Sequence, residues 1–377
     1  MSRQAEILER IDRIVLTNKN RNFIPFDDAR ESVKNICRCK EPRALTRVLM
    51  ACALAKIDNP NKNITKPYTK IGGSDTFSGR TYDEAHIEPY ILIKKLPCNS
   101  STGFLTPALR NIDKPLARDL EIVGKNPELY VDAMHIINDV QDGRYSAEDL
   151  LSEIIKNLYE IKERNDNRLQ TCLDGLAAAK SDYPISVDKM INLIFQHMSL
   201  KNTSRLPVLI VASAYRVASE NLKMKGMPLE AHNAADVQTE SLGDVNLSLI
   251  DDDNIIASYE IKDRIITRND IDKAIIKIKE LGNELDNYYF VTTKPIDRDV
   301  YHYALSFYDA LGGVEIIILD CFQFLKHFLY LFPKLRTDFI EEYQRLLINE
   351  PTSAVSQNLK EAFITMRAVE ENQNEED

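Results

Sequence analysis

Two carboxylates and a lysine stand close together in the second half of the chain. Asp244 is followed by Glu260 and Lys262, and a run of turn-forming residues, 251–254, lies between them. Two carboxylates a few ångströms apart repel each other unless a cation neutralises them. Carboxylate oxygens suit Mg²⁺, which also binds water and phosphate oxygens. Because a nearby lysine can orient or deprotonate a metal-bound water, these residue types are suited to metal-assisted hydrolysis of a phosphodiester.

The neighbouring sequence predicts a β-hairpin that would hold these residues together. Residues 245–250 alternate apolar and polar side chains, and residues 255–262 are rich in β-branched and aromatic side chains, as is typical of strands. Side chains two positions apart on a strand point to the same face, so Glu260 and Lys262 share a face. The hairpin can then bring Asp244, at the start of the first strand, beside them.

Other polar residues nearby leave the set of metal ligands open. Asp236, Gln238 and Glu240 also precede the first strand, but we prefer Asp244 because it directly adjoins the strand. Residues 201–225 are predicted to form the preceding helix. Glu220, near its end, is a candidate for an additional carboxylate, since such a helix supplies one in several nuclease folds. The alternative for Glu220 is an ordinary charge at a helix end.

The four residues Tyr-Glu-Ile-Lys occur a second time, at 159–162. Apolar residues recur there with helical spacing from Leu150 to Ile161, so we interpret this copy as part of a solvated helix face. Glu160 and Lys162 would point in different directions on such a helix. Only the copy in the predicted hairpin follows an aspartate on a preceding strand, and this context favours it as the functional one.

The composition is that of a globular protein with one large domain or two. The chain has 377 residues, of which 44% are hydrophobic and 28% charged, and its net charge is −10. No apolar run approaches the roughly 20 residues of a membrane span, and the N-terminus lacks a signal-peptide pattern, so we expect a cytoplasmic protein. The cysteines and histidines form no zinc-binding pattern. The negative charge disfavours nonspecific nucleic-acid binding but allows a locally basic cleft.

The residue patterns predict three parts. Residues 1–200 are mainly helical, residues 201–350 form a catalytic core, and residues 351–377 form a C-terminal helix with an acidic tail. The expected order in the core is helix, hairpin, helix, strand, helix, strand, helix, with the two later strands at 287–292 and 314–320. This order predicts an α/β fold with a central mixed sheet flanked by helices.

A polar, turn-rich segment, 74–111, interrupts the helices of the first part. It carries cations, aromatic rings and short polar side chains, a composition suited to contacting phosphates and bases. The alternative is an ordinary surface loop around a helix. The candidate DNA-contacting residues, here and beside the hairpin, are Ser78, Arg80, Thr81, Arg110, Asn111, Gln238 and Thr239.

The order of elements around Asp244, Glu260 and Lys262 resembles the core of the PD-(D/E)XK nucleases. Two blocks of sequence, which together cover less than half of the chain, further resemble the SacI family of type II restriction endonucleases. The first block is DTFSGRTYDEAHIEPYI with LPCNSSTGFLTPALRN, and the second is LPVLIVASAYRVASENL with DVQTESLGDVNLSL and SYEIKDR.

The resemblance implies a Mg²⁺-dependent enzyme that cleaves double-stranded DNA at a short palindrome and leaves 5′-phosphate and 3′-hydroxyl ends. It also implies a homodimer, because a two-fold protein matches a two-fold site, and a DNA methyltransferase that protects the host. In this scheme Asp244, Glu260 and the carbonyl of Ile261 hold Mg²⁺, while Lys262 orients the attacking water. Two alternatives remain: a repair or recombination nuclease on the same core, and a non-catalytic nucleic-acid-binding protein.

Overall fold

The structure, a computed structural model, describes residues 2–39, 44–98, 102–179, 185–229, 242–281 and 285–372. The chain divides into two compact units. The first comprises Met1–Asn167 with Pro351–Ser353, and the second comprises Arg168–Glu350 with Ala354–Asp377.

The first unit is built from helices around one apolar core. Its helices are α1 Arg3–Thr17, α2 Asp27–Arg38, α3 Ala44–Asp58, α4 Gly79–Tyr82, α5 Glu88–Lys94, α6 Pro127–Gln141 and α7 Ala147–Ala178, within which the division between the units falls. Helix α3 is buried from Ala44 to Ala55 because nearly all of its side chains are apolar. Its one buried cation, Arg47, is neutralised by Asp83, 2.8 Å away at the start of a π-helical turn.

The second unit contains the remaining helices and all the strands of the described residues. Its helices are α8 Val187–Met198, α9 Leu206–Val217, α10 Ser219–Leu222, α11 Arg268–Leu281, α12 Arg298–Leu305, α13 Cys321–Leu331, α14 Arg336–Asn349 and α15 Gln357–Asn372. Its strands are β1 Met224–Gly226, β2 Val245–Leu249, β3 Ile255–Lys262, β4 Asn287–Thr292 and β5 Glu315–Asp320.

The strands form one mixed sheet in the order β1-β2-β3-β4-β5. The pairs β1–β2 and β2–β3 are antiparallel, whereas β3–β4 and β4–β5 are parallel, with α11 and α12 in the connections. Because side chains alternate along a strand, the sheet contributes to two apolar clusters. Tyr259 and Val291 pack with residues of α8, α9 and α13 to α15, while Tyr288 and Phe290 pack with residues of α11 and α12.

This architecture confirms an α/β protein that is rich in helices and has a mixed sheet. The bounds of β3 and β4 agree with the predicted strands. One expectation was wrong: the helix predicted for 201–225 ends at Val217, and Met224–Gly226 forms strand β1. The change of structure follows Lys223, whose φ of 57° lies in the left-handed region and ends the short helix α10.

Helix α7 contains a capping motif at its start and the second copy of Tyr-Glu-Ile-Lys. Ser146 and Asp149 cap the start of α7 by reciprocal bonds of 3.2 Å and 3.0 Å between their side chains and backbone N–H groups. The second copy of Tyr-Glu-Ile-Lys lies within α7, where Lys162 donates to the carbonyl of Lys94.

None of the helices in the described ranges is both long enough and apolar enough to span a membrane.

Candidate active site

The hairpin places Asp244 beside Glu260. In the antiparallel pair β2–β3, Val245 is opposite Tyr259, so Asp244, one residue earlier, comes opposite Glu260, one residue later. Opposite side chains on neighbouring strands share a face, with Cβ atoms about 5 Å apart. Asp244 Oδ2 accepts a hydrogen bond of 2.7 Å from the backbone N–H of Ile261. This bond fixes the aspartate against the strand that carries Glu260 and Lys262.

The backbone just before Asp244 approaches β3 more closely than a side chain would permit. A Cβ atom at Gly243 would lie 2.5 Å from Ser258 Oγ and 2.8 Å from the carbonyl oxygen of Tyr259. The second of these atoms belongs to the backbone and cannot rotate away. Glycine at position 243 is therefore what allows the segment carrying Asp244 to lie against strand β3.

Three side chains hold the carboxylate of Glu260. Lys262 Nζ forms a close ion pair with Oε1. On the other oxygen, Oε2, the Tyr288 hydroxyl donates at 3.3 Å and Lys277 Nζ lies at 3.7 Å. Both groups also contact the carbonyl oxygen of Leu242. The Tyr288 hydroxyl lies 3.1 Å from this oxygen, and Lys277 Nζ lies 3.5 Å from it. Tyr288 and Lys277 thus connect Glu260 to the segment that leads to Asp244.

Burial and neighbouring charges set the protonation of this site. Desolvation raises the pKa of Asp244 to about 6, and the negative charge of Glu260 adds to the rise, although the bond from Ile261 opposes it. Burial lowers the pKa of Lys262, but its hydrogen bond to Glu260 and the charges of both carboxylates outweigh burial and hold the pKa above its ordinary value. A further positive charge near Asp244 would therefore stabilise its ionised form.

The donor set fits a magnesium ion that keeps several waters. Within the described ranges, no group of three or more histidine, cysteine, aspartate or glutamate side chains is arranged to hold a metal ion. Mg²⁺, however, is commonly held by one or two carboxylates with waters and substrate phosphates. Asp244 and Glu260 supply the two carboxylates, and the repulsion that Glu260 exerts on Asp244 is the interaction that a cation would relieve.

Glu220 does not join these residues. It is 84% exposed on α10 and pairs with Lys223 at 3.5 Å. Strand β1, which follows, pairs Met224 with Leu249, at the end of β2 that is about 16 Å from Asp244 at ~3.3 Å per residue. The other acidic candidates, Asp236 and Glu240, lie outside the described residues, as do Gln238 and Thr239, which we predicted to contact DNA.

The remaining predicted DNA-contacting residues belong to the first unit. Ser78 caps α4, where its Oγ accepts hydrogen bonds from the Thr81 hydroxyl at 2.7 Å and the Thr81 backbone N–H at 3.2 Å. Arg80 donates to Glu84 at 2.7 Å, one turn later in the chain. Arg110 and Asn111 are exposed to solvent. The side chains of Ser78, Thr81 and Arg80 thus have partners within the protein, which a DNA contact would have to share or replace.

Sequence reasoning missed Lys277 and Tyr288. The sequence pattern around Lys277 and Tyr288 does not by itself indicate contact with Glu260, because this contact depends on pairing between distant segments. In the parallel pair β3–β4, Ser258 is opposite Tyr288 and Glu260 is opposite Phe290, so Tyr288 lies on the face of Glu260. This relation can be inferred only when the register of the two strands is known.

Comparison with known proteins identifies the segment that carries this site. Residues 184–293 match the model of the SacI restriction endonuclease C-terminal domain. The match spans β2, β3, α11 and β4 and includes Asp244, Glu260, Lys262, Lys277 and Tyr288. It covers less than a third of the chain. A search of curated proteins gives no significant match.

Proposed function

We propose, on the premise that this chain is a SacI-family restriction endonuclease, that it is a type II enzyme with a PD-(D/E)XK core. It would hydrolyse both strands of double-stranded DNA at a short palindromic sequence and depend on Mg²⁺. The observation that carries this proposal is the hydrogen bond that Asp244 accepts from the Ile261 N–H, next to Glu260, with Lys262 paired to the same glutamate.

Each residue of the site has a distinct role in this proposal. Asp244 and Glu260, with the carbonyl of Ile261, would hold the cation. The hydrogen bond from the Ile261 N–H fixes the orientation of the Asp244 carboxylate. When bound, Mg²⁺ supplies polarisation of the phosphate and lowers the pKa of water. Lys262 would orient the attacking water in line with the scissile bond and stabilise the charge that develops on the phosphate. Solvent would protonate the leaving 3′-oxygen.

Further assignments follow from the same proposal. We assign DNA contacts to Ser78, Arg80, Thr81, Arg110 and Asn111 in the first unit. Gln238 and Thr239 precede the active strand and receive the same assignment. The enzyme would act in the cytoplasm as a homodimer, with a DNA methyltransferase that protects the host sequence in a restriction-modification system.

Digestion of a long unmethylated DNA of known sequence tests the proposal. The protein is incubated with the DNA with and without Mg²⁺, and the products are separated on a gel and sequenced at their ends. Discrete Mg²⁺-dependent fragments are expected, and their ends give the recognition site and the cut position. A smear would indicate a repair-type nuclease instead. No cleavage of several DNAs with Mg²⁺ or Mn²⁺ would indicate a DNA-binding protein without nuclease activity.

A further inference from the structure

Lys277 contacts the same carboxylate as Lys262 but is held less tightly. Its Nζ lies 3.7 Å from Glu260 Oε2 and 3.5 Å from the Leu242 carbonyl oxygen, both near the outer limit for such contacts. Lys262 Nζ, by contrast, is in close contact with Oε1. The Lys277 side chain is 25% exposed and extends from α11, so its flexible stem allows the ammonium to move towards solvent.

Glu260 does not depend on Lys277 to stay in place. The hydroxyl of Tyr288, a residue that is only 1% exposed, lies 3.1 Å from the Leu242 carbonyl oxygen and 3.3 Å from Oε2, and it can turn its single proton towards Oε2. Lys262 holds the other oxygen. If Lys277 moved away, Oε2 would keep a neutral partner and would become available to another cation.

We propose that Lys277 is a positioning residue that occupies the place of a cation beside Glu260 and is displaced when Mg²⁺ binds. The inference rests on the proposed function, because it requires Asp244 and Glu260 to hold the metal. Two carboxylates and two lysines balance one another's charges in the structure. A divalent cation at the same carboxylates repels the Lys277 ammonium, so Mg²⁺ and Lys277 compete for Glu260 Oε2.

Isothermal titration calorimetry tests this competition. The protein is titrated with Mg²⁺ in the absence of DNA, and the affinity for Mg²⁺ is measured. Lys277→Met should bind Mg²⁺ roughly two- to fivefold more tightly than the wild type, which corresponds to the loss of a partly exposed ion pair. Lys273→Met, an exposed position one turn earlier on α11, should leave the affinity unchanged. Lys277→Arg keeps the charge and should return the affinity towards the wild-type value.

The possible outcomes separate this inference from the proposed function. If the wild type binds Mg²⁺ and Asp244→Ala abolishes binding, the metal site stands, and a Lys277→Met affinity no higher than that of the wild type overturns the inference alone. If the wild type does not bind Mg²⁺, the proposed metal site and the inference both fail. Circular dichroism checks that each variant is folded, and Lys277→Gln replaces the Met variant if the latter unfolds.

Discussion

At the scale of single residues, the proposed function predicts that substitutions in the site affect DNA cleavage and DNA binding differently. Asp244→Ala or Lys262→Ala should lower the rate of DNA cleavage by about 100-fold or more, since each removes a group that we propose stabilises the reacting phosphate. DNA binding should persist, because most affinity for DNA comes from contacts to its backbone elsewhere. Single-turnover cleavage and a filter-binding assay measure the two quantities.

The matched control for these substitutions is Asp253→Ala. Asp253 lies on the turn of the same hairpin and pairs with Lys225 at 2.8 Å, with a side chain that is 87% exposed. Its loss should leave cleavage unchanged. Normal cleavage by both Asp244→Ala and Lys262→Ala would show that the active site lies elsewhere.

Gly243 is a further residue whose identity the site requires. Gly243→Ala places a methyl group 2.8 Å from the Tyr259 carbonyl oxygen, so strand β3 and the segment before Asp244 must separate. We expect a loss of about 1–3 kcal/mol in the free energy of unfolding, as for overpacking, together with slower cleavage. Denaturant unfolding and the cleavage rate measure these effects.

Gly226→Ala is the control for Gly243→Ala. Gly226 lies in the neighbouring strand β1, and a Cβ atom there would meet nothing within 4 Å. Its substitution should change the free energy of unfolding by no more than about 0.5 kcal/mol. Equal stability and activity in the two variants would contradict the close approach at Gly243.

At the scale of elements, a buried histidine joins three helices of the second unit. His197 on α8 lies 3.0 Å from the Tyr343 hydroxyl on α14 and 3.0 Å from the Leu359 carbonyl oxygen on α15. A carbonyl only accepts, so Nε2 carries the proton and Nδ1 accepts from Tyr343. Burial lowers the pKa of His197 from 6.5 to about 4. The neutral form therefore stabilises the packing of these helices.

This histidine should make stability depend on pH. The unfolded chain binds a proton at His197 below pH 6.5, whereas the folded chain resists protonation until about pH 4. The stabilisation is complete above pH 6.5 and decreases as pH falls towards 4, by about 3 kcal/mol in all. Urea unfolding of His197→Gln across this range should show a smaller pH slope than the wild type. His135→Gln, at an exposed position on α6, should keep the wild-type slope, and the same slope in all three proteins would contradict this role.

At the scale of the whole molecule, a palindromic site requires two copies of the cleavage machinery. Under the proposed function, the one set of Asp244, Glu260 and Lys262 in the second unit would cut one strand at a time. A two-fold dimer presents two such sets to the two strands. Sedimentation velocity should therefore give twice the mass of one chain, with or without DNA. A monomer that still cuts both strands at discrete positions would contradict the proposed assembly.

The net charge of −10 is also a property of the whole molecule. It means that attraction to DNA has to come from local groups of cations rather than from the protein as a whole. Cleavage and binding should for this reason be compared at stated salt concentrations.

The sequence by itself determined the hairpin, the strands that follow it and the candidate catalytic residues that the hairpin carries. Alternating apolar residues, a turn rich in aspartate and β-branched strands act over a few neighbouring positions, so they can be recognised without the fold. The bounds of β3 and β4 and the helix order after β3 agree with the prediction for this reason. The resemblance of the second sequence block to the SacI family depends on the same local sequence, and the match of residues 184–293 confirms it.

Only the tertiary structure decided which other side chains surround Glu260. Lys277 and Tyr288 reach it because β4 pairs with β3 in a parallel register and α11 packs on the same face. Glu220 does not, because the unpredicted strand β1 places it near the far end of β2. Such relations depend on contacts between segments distant in the chain, and local patterns of hydrophobicity and turn residues do not encode their register.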